Sequence, residues 1–328
     1  MAEETETIQT QQSVKDWLLM RGNRLLVTGL LAVFVFVGFV GTVAVLQPSF
    51  PQKVVAGDPI DTLFASMITV IVTGTTLVVT IGQLILTQEN GPLGDQRERM
   101  SNSMEVRDEI RDVIDEQIPT DPAEFLGVIL DATIQKARAL DNAFDQSSDP
   151  SLQSNVESFT DGVNKNASEV RERLRGGDFG RFDVLSASLN FAYGSKIAQI
   201  EQFLADDHAL SDHQRDRFEE LKGVLVLFGP AREHIKTLYF QWGLINLSQL
   251  ILYAAVPAVV LAGIAIANVD TGTFPGQTLG IDHLTYAVGV MLAVSLLPFL
   301  LFVSYILRIL TVAKRTLAIE PLVLLESE

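Results

Sequence analysis

Four long apolar stretches stand out along the chain, set apart by two short loops and one extended polar region. Leu25 to Leu46 carries no charged residue over 22 positions. The second stretch runs from Thr62 to about Thr87, the third from about Leu244 to Ala267, and the fourth from Leu284 to about Leu307. At about 1.5 Å per residue, each is long enough as a helix to cross a hydrocarbon core of roughly 30 Å. The expected fold class is all-α: four transmembrane helices, with a cytoplasmic helical domain between spans two and three. Residues 1–23 form an acidic N-terminal tail and an interfacial helix (Val14, Trp17, Leu18, Arg21). Spans one and two occupy 24–90, the helical domain 91–243, spans three and four 244–310, and a C-terminal tail with apolar Leu322 to Leu325 occupies 311–328.

The second stretch has a finer pattern. Thr62, Ser66, Thr69, Thr73, Thr76, Thr80, Gln83 and Thr87 recur at spacings of four and three in strict alternation. That is a period of about 3.5 residues, which keeps one seam of a helix facing a neighbour. The seam is about 37 Å long at the α-helical rise. Hydroxyls and amides avoid lipid unless they hydrogen-bond internally or meet water. Two readings follow. The eight side chains line a pore shared by several copies, replacing part of an ion's water shell. Alternatively they join helices to one another, or bond back to their own backbone carbonyls. Asp58-Pro59-Ile60-Asp61, at the end of the loop 47–60, signals the helix start. Asp61 is then either an outer-mouth acid that enriches cations or a plain first-turn residue.

Between spans two and three the helix starts repeat. Asp121-Pro122 and Asp149-Pro150 pair an N-cap with proline at the first helical position, and Ser211 to Gln214 reads as a capping box. Leu152, Val156, Phe159, Val163, Val170 and Leu174 share one helical face. Helices are expected near 95–118, 121–145, 150–175, 183–205 and 212–228, and Gly229-Pro230 restarts a helix that continues into the third span. Pro257 and Pro298 are expected to kink spans three and four. The loop 268–283 holds Asp270, Asp282 and His283.

Charge then sets orientation and excludes functions. The net charge is −16, with 16 Arg against 8 Lys. Residues 88–243 hold 29 acids and 17 bases. Such an acidic, lysine-poor surface stays hydrated in concentrated KCl, so a halophilic source is expected, and a nucleic-acid partner is not. Bases flank the spans on one side: Lys15, Arg21, Arg24, Arg97, Arg99, Arg232, Lys236, Arg308, Lys314 and Arg315. The short loops carry only Lys53. The positive-inside rule therefore places both termini and the helical domain in the cytoplasm of a multi-pass protein of the cell membrane. There is no cysteine, which removes disulfides and thiolate metal sites. The central turns of the spans hold no Asp, Glu, Lys, Arg or His, which disfavours coupled transport. No phosphate loop or metal-spaced cluster is present, and His208 and His213 read as solvated loop residues. Neither an enzyme nor a cofactor is expected.

GPLGDQRERM (Gly91–Met100) and REHIKTLYFQWGLINLSQLILY (Arg232–Tyr253) are similar to segments of uncharacterised haloarchaeal membrane proteins, a resemblance without an assigned activity. The layout also resembles that of bestrophin channels, in which the second span lines a pentameric pore, although no motif matches residue by residue. The flagellar-stator layout is similar too, but its membrane carboxylate is missing here. The expectation is a homo-oligomeric passive ion channel whose partners are lipid, copies of itself and inorganic ions. The other expectation is a non-conducting scaffold or signalling adaptor whose cytoplasmic helices bind a partner.

Overall fold

The computed structural model describes residues 17–46, 49–89, 92–114, 117–145, 149–175, 182–205 and 210–315. The acidic tail, Val14, His208 and Leu322 to Leu325 lie outside the described residues. A wide helical turn at Trp17–Arg21 precedes α1 (Arg24–Val45), α2 (Phe50–Gly57), α3 (Pro59–Glu89), α4 (Leu93–Ile114), α5 (Pro122–Asn142) and α6 (Pro150–Leu174). Next come α7 (Phe182–Ser188), α8 (Tyr193–Ala205), α9 (Asp212–Asn268), a hairpin of β1 (Gln277–Thr278) and β2 (Ile281–Asp282), α10 (His283–Ser295) and α11 (Leu297–Arg315). Among the described residues the fold is all-α apart from that hairpin, and four helices are long and apolar enough to cross a membrane: α1, α3, α9 and α11.

The chain divides into two compact units, Met1–Asn90 with Gln241–Lys314 and Gly91–Phe240 with Arg315–Glu328. In the first, apolar unit, one side of α3 is buried from Ile60 to Val78. Ile60 and Phe64 join Ala262, Ala265, Leu284 and Val288. Ile71 meets Ala255 and Ala258, and Val78 meets Leu247, Ile251 and Leu301. As α3 advances its partners on α9 recede, so the two helices run antiparallel. Alanines at 255, 258, 262 and 265, all buried, let the backbones approach, as small residues do where helix contact must come from close packing.

α1 packs on α10 at Gly289. A Cβ added there would lie 2.9 Å from Val40 and 3.2 Å from the Phe36 ring. At the opposite end of α1, buried Arg24 donates to the carbonyls of Leu18, Gly22 and Ser304 at 2.8–3.1 Å. Arg308 donates to the Gly22 carbonyl, and the Thr28 and Ser304 hydroxyls lie 3.0 Å apart. This fastens the start of α1 to α11.

The polar unit is built on one apolar core from α4 to the first part of α9. The six residues expected on one face of α6 are all buried. Its helices start where the caps indicate. Asp121 accepts from Ala123 and Glu124, and Asp149 from Ser151 and Leu152. Ser211 and Gln214 bond reciprocally at 3.0 and 3.2 Å.

Local structure departs from the sequence reading in three places, and the kink expected at Pro298 is present as a helix break. The loop 47–60 contains α2, whose Phe50 and Val54 are one turn apart and buried, with Phe50 edge-on to Phe39. Asp58 ends α2 in the left-handed conformation (φ 46°), and Pro59 opens α3 immediately after it. The helix expected over 183–205 is split into α7 and α8. Asn166 of α6 takes up the freed backbone, donating to the Asn190 carbonyl and accepting from Ala192 N–H. Gly229-Pro230 does not interrupt α9; burial of Leu225, Phe228, Ala231 and Ile235 outweighs one lost backbone bond. The fourth apolar stretch breaks at Leu296, two residues before Pro298, whose ring cannot donate. Leu296 N–H is shared between the Leu292 and Val294 carbonyls.

Candidate functional site

All eight seam residues, Thr62, Ser66, Thr69, Thr73, Thr76, Thr80, Gln83 and Thr87, are exposed within the protomer. The buried residues of the same helix, Ile60, Phe64, Met67, Ile71 and Val78, repeat with the same period. At about 100° per residue, the two sets fall about 180° apart. One stripe of α3 therefore binds α9 and α10, and the polar stripe points directly away from them.

Five of the seven seam hydroxyls are locally satisfied. Ser66, Thr69, Thr76, Thr80 and Thr87 each donate to the carbonyl four residues earlier, at 2.8–3.2 Å. A hydroxyl carries one hydrogen and two lone pairs. With the hydrogen committed to the helix, each oxygen presents lone pairs outward. These five oxygens can solvate a cation, while the Gln83 amide on the same stripe can also donate. From Thr62 to Gln88 the helix carries no charged side chain.

Asp61 does not continue the seam. It lines a cleft of about 570 Å³ with Asp58 and Asp270, where the start of α3 meets the end of α9. Asp270 accepts from the Thr273 hydroxyl and Gly272 N–H, both at 2.8 Å, and these bonds hold its carboxyl below the usual range. The neighbouring hairpin is held by His283, whose ring nitrogens lie 2.9 Å from the Pro275 carbonyl and 2.8 Å from the Thr278 hydroxyl. Among the described residues, no group of three His, Asp or Glu is placed to hold a metal ion.

Two hydroxyl residues that the periodicity passes over lie away from the seam. Thr75 sits on the buried side of α3, and Ser295 ends α10 at the break. Both line a groove of about 420 Å³ between α3 and α11. The sequence held one signal for each: Thr75 is a threonine out of register, and Ser295 stands three residues before Pro298.

Together these features define an all-α protein with apolar helices long enough to span a membrane and one of them polar along its free side. A family model matches residues 1–328, and the chain belongs to that family, DUF7972, a family of unknown function. No curated protein and no solved structure matches it.

Proposed function

We propose that the protein is a homo-oligomeric, passive, cation-favouring ion channel of the cell membrane, with α3 of each copy lining the path. The observation that carries this reading is the free stripe of α3, whose hydroxyl oxygens turn their lone pairs outward. A face of this kind, about 37 Å long, is poorly matched to hydrocarbon and well matched to water and cations. In this reading α1, α3, the last part of α9 and the α10–α11 pair cross the bilayer. Both termini and residues 91–243 lie in the cytoplasm, in accord with the flanking bases. The acidic cleft of Asp58, Asp61 and Asp270 then faces outward and concentrates cations near one mouth. The absence of charged side chains from the central turns of the spans favours conduction down a gradient over coupled transport.

A second reading has one observation in its favour. Because five of the hydroxyls are already satisfied by their own backbone, α3 can pack on another helix without water. The protein is then a scaffold or signalling adaptor that does not conduct. Recording from purified protein in planar bilayers separates the two. The channel reading expects discrete currents whose reversal potential in a KCl gradient follows K⁺. Silence across voltages and salts, with the fold intact, supports the scaffold.

A further inference from the structure

Ser295 is fully buried, and among the described residues neither its Oγ nor Thr75 Oγ1 has a hydrogen-bond partner. Ser and Thr in helices ordinarily bond the carbonyl one turn back, as the seam hydroxyls of α3 do. These two line the groove between α3 and α11 together with Thr80, whose hydroxyl is bonded to the Thr76 carbonyl; among the described residues the groove holds no charged side chain and is otherwise almost wholly apolar. A buried hydroxyl without a partner carries a penalty in an apolar setting. Two in one groove mark a place where a polar atom belongs.

We infer that this groove is a binding site for a neutral, alcohol-class amphiphile: an apolar body with one hydroxyl, taken from the membrane. A hydroxyl both donates and accepts, so it can pair with Thr75 or with Ser295. A purely hydrocarbon occupant, including an apolar side chain of a second copy, leaves both unpartnered. A charged headgroup finds no counter-charge on the walls. The volume suits such a ligand. An apolar cavity of roughly 150 Å³ holds benzene, and ligand pockets span roughly 300–1,000 Å³. The rim includes Leu77 and Phe299, 62% and 52% exposed, so the groove is open sideways. A Cβ at Gly74, on the wall, would meet nothing within 4 Å, so there is open space beside it. The inference does not depend on conduction.

Photolabelling of the full-length protein in liposomes tests it, with a diazirine-bearing octanol as probe and the matching diazirine alkane as control. Saturable adducts of the alcohol are expected within residues 67–81 or 295–302, displaced by 1-octanol. The pair T75V and S295A together lowers labelling by the alcohol by up to about tenfold, the loss of its hydrogen bond to the groove, and leaves the alkane unaffected. Gly74→Leu fills the groove and abolishes labelling without touching either hydroxyl. Thermal unfolding confirms that each variant is folded. Undiminished alcohol labelling in T75V/S295A, or no saturable adduct in these segments of the folded protein, overturns the inference.

Discussion

Thr75 and Thr76 are adjacent on α3 and face opposite environments, so one substitution at each separates packing from conduction. Valine replaces threonine with almost no change of shape. At Thr75 it removes a buried hydroxyl that has no partner among the described residues. Burying such a group costs about 1–3 kcal/mol, so T75V should stabilise the ligand-free protein by about that much. At Thr76 it removes an exposed hydroxyl bonded to the Val72 carbonyl at 2.9 Å, and stability should stay within about 0.5 kcal/mol of wild type. Conduction should respond in the opposite order. If one hydroxyl per copy lowers the barrier to a passing cation by about 0.5–1 kcal/mol, T76V reduces unitary conductance about two- to fivefold. T75V leaves it within measurement error. Thermal unfolding in detergent and single-channel recording are run on the same preparations. A destabilised T75V would show that its hydroxyl is paired. A conductance loss in T75V with none in T76V would put the path on the wrong side of α3.

Two glycines crowded by a neighbour should behave differently. G289A presses on the stiff Val40 and the Phe36 ring and should cost about 1–2 kcal/mol, relieved by V40A in a double-mutant cycle. G127A presses on the flexible tip of Arg171 instead. It should cost no more than about 1 kcal/mol, because the Arg171–Asp131 pair it disturbs is partly exposed; a larger loss from G127A would contradict that. At Glu220 burial raises the carboxyl's affinity for protons, but the ion pairs with Lys136 and Arg217 outweigh it, so its titration lies below the ordinary 4.5. A lowered folded value means this contribution is present above about pH 4.5 and lost as pH falls further. Unfolding of E220Q should therefore be less acid-sensitive than wild type, and equal sensitivity would refute the pairing. Neutralising D58N and D61N together should shift the reversal potential in a KCl gradient toward zero without abolishing current.

Much of this architecture is written in local chemistry. Asp121-Pro122, Asp149-Pro150 and Ser211 to Gln214 act within four residues of themselves, so their helices begin where expected. The α3 seam is likewise a matter of spacing, and the structure adds that it lies opposite the buried stripe. What the sequence did not disclose depends on distant partners. α2 is a short helix held by Phe39, and the gap between α7 and α8 is tolerated because Asn166 reaches across from another helix. Gly229-Pro230 looks like a stop until the packing around it is known. Thr75 and Ser295 lie 220 positions apart, and no periodicity brings them to one groove.

The central claim is that the free side of α3 meets water in the assembled protein. The chain has no cysteine, so single cysteines along α3 can be read without background by a charged, membrane-impermeant thiol reagent in liposomes. Rapid modification is predicted at Thr69→Cys, Thr73→Cys, Thr76→Cys and Thr80→Cys, in the middle of the span, with protection at Val70→Cys, Ile71→Cys and Ile81→Cys. Reaction confined to Thr62→Cys and Thr87→Cys, with every central seam position protected, would contradict it.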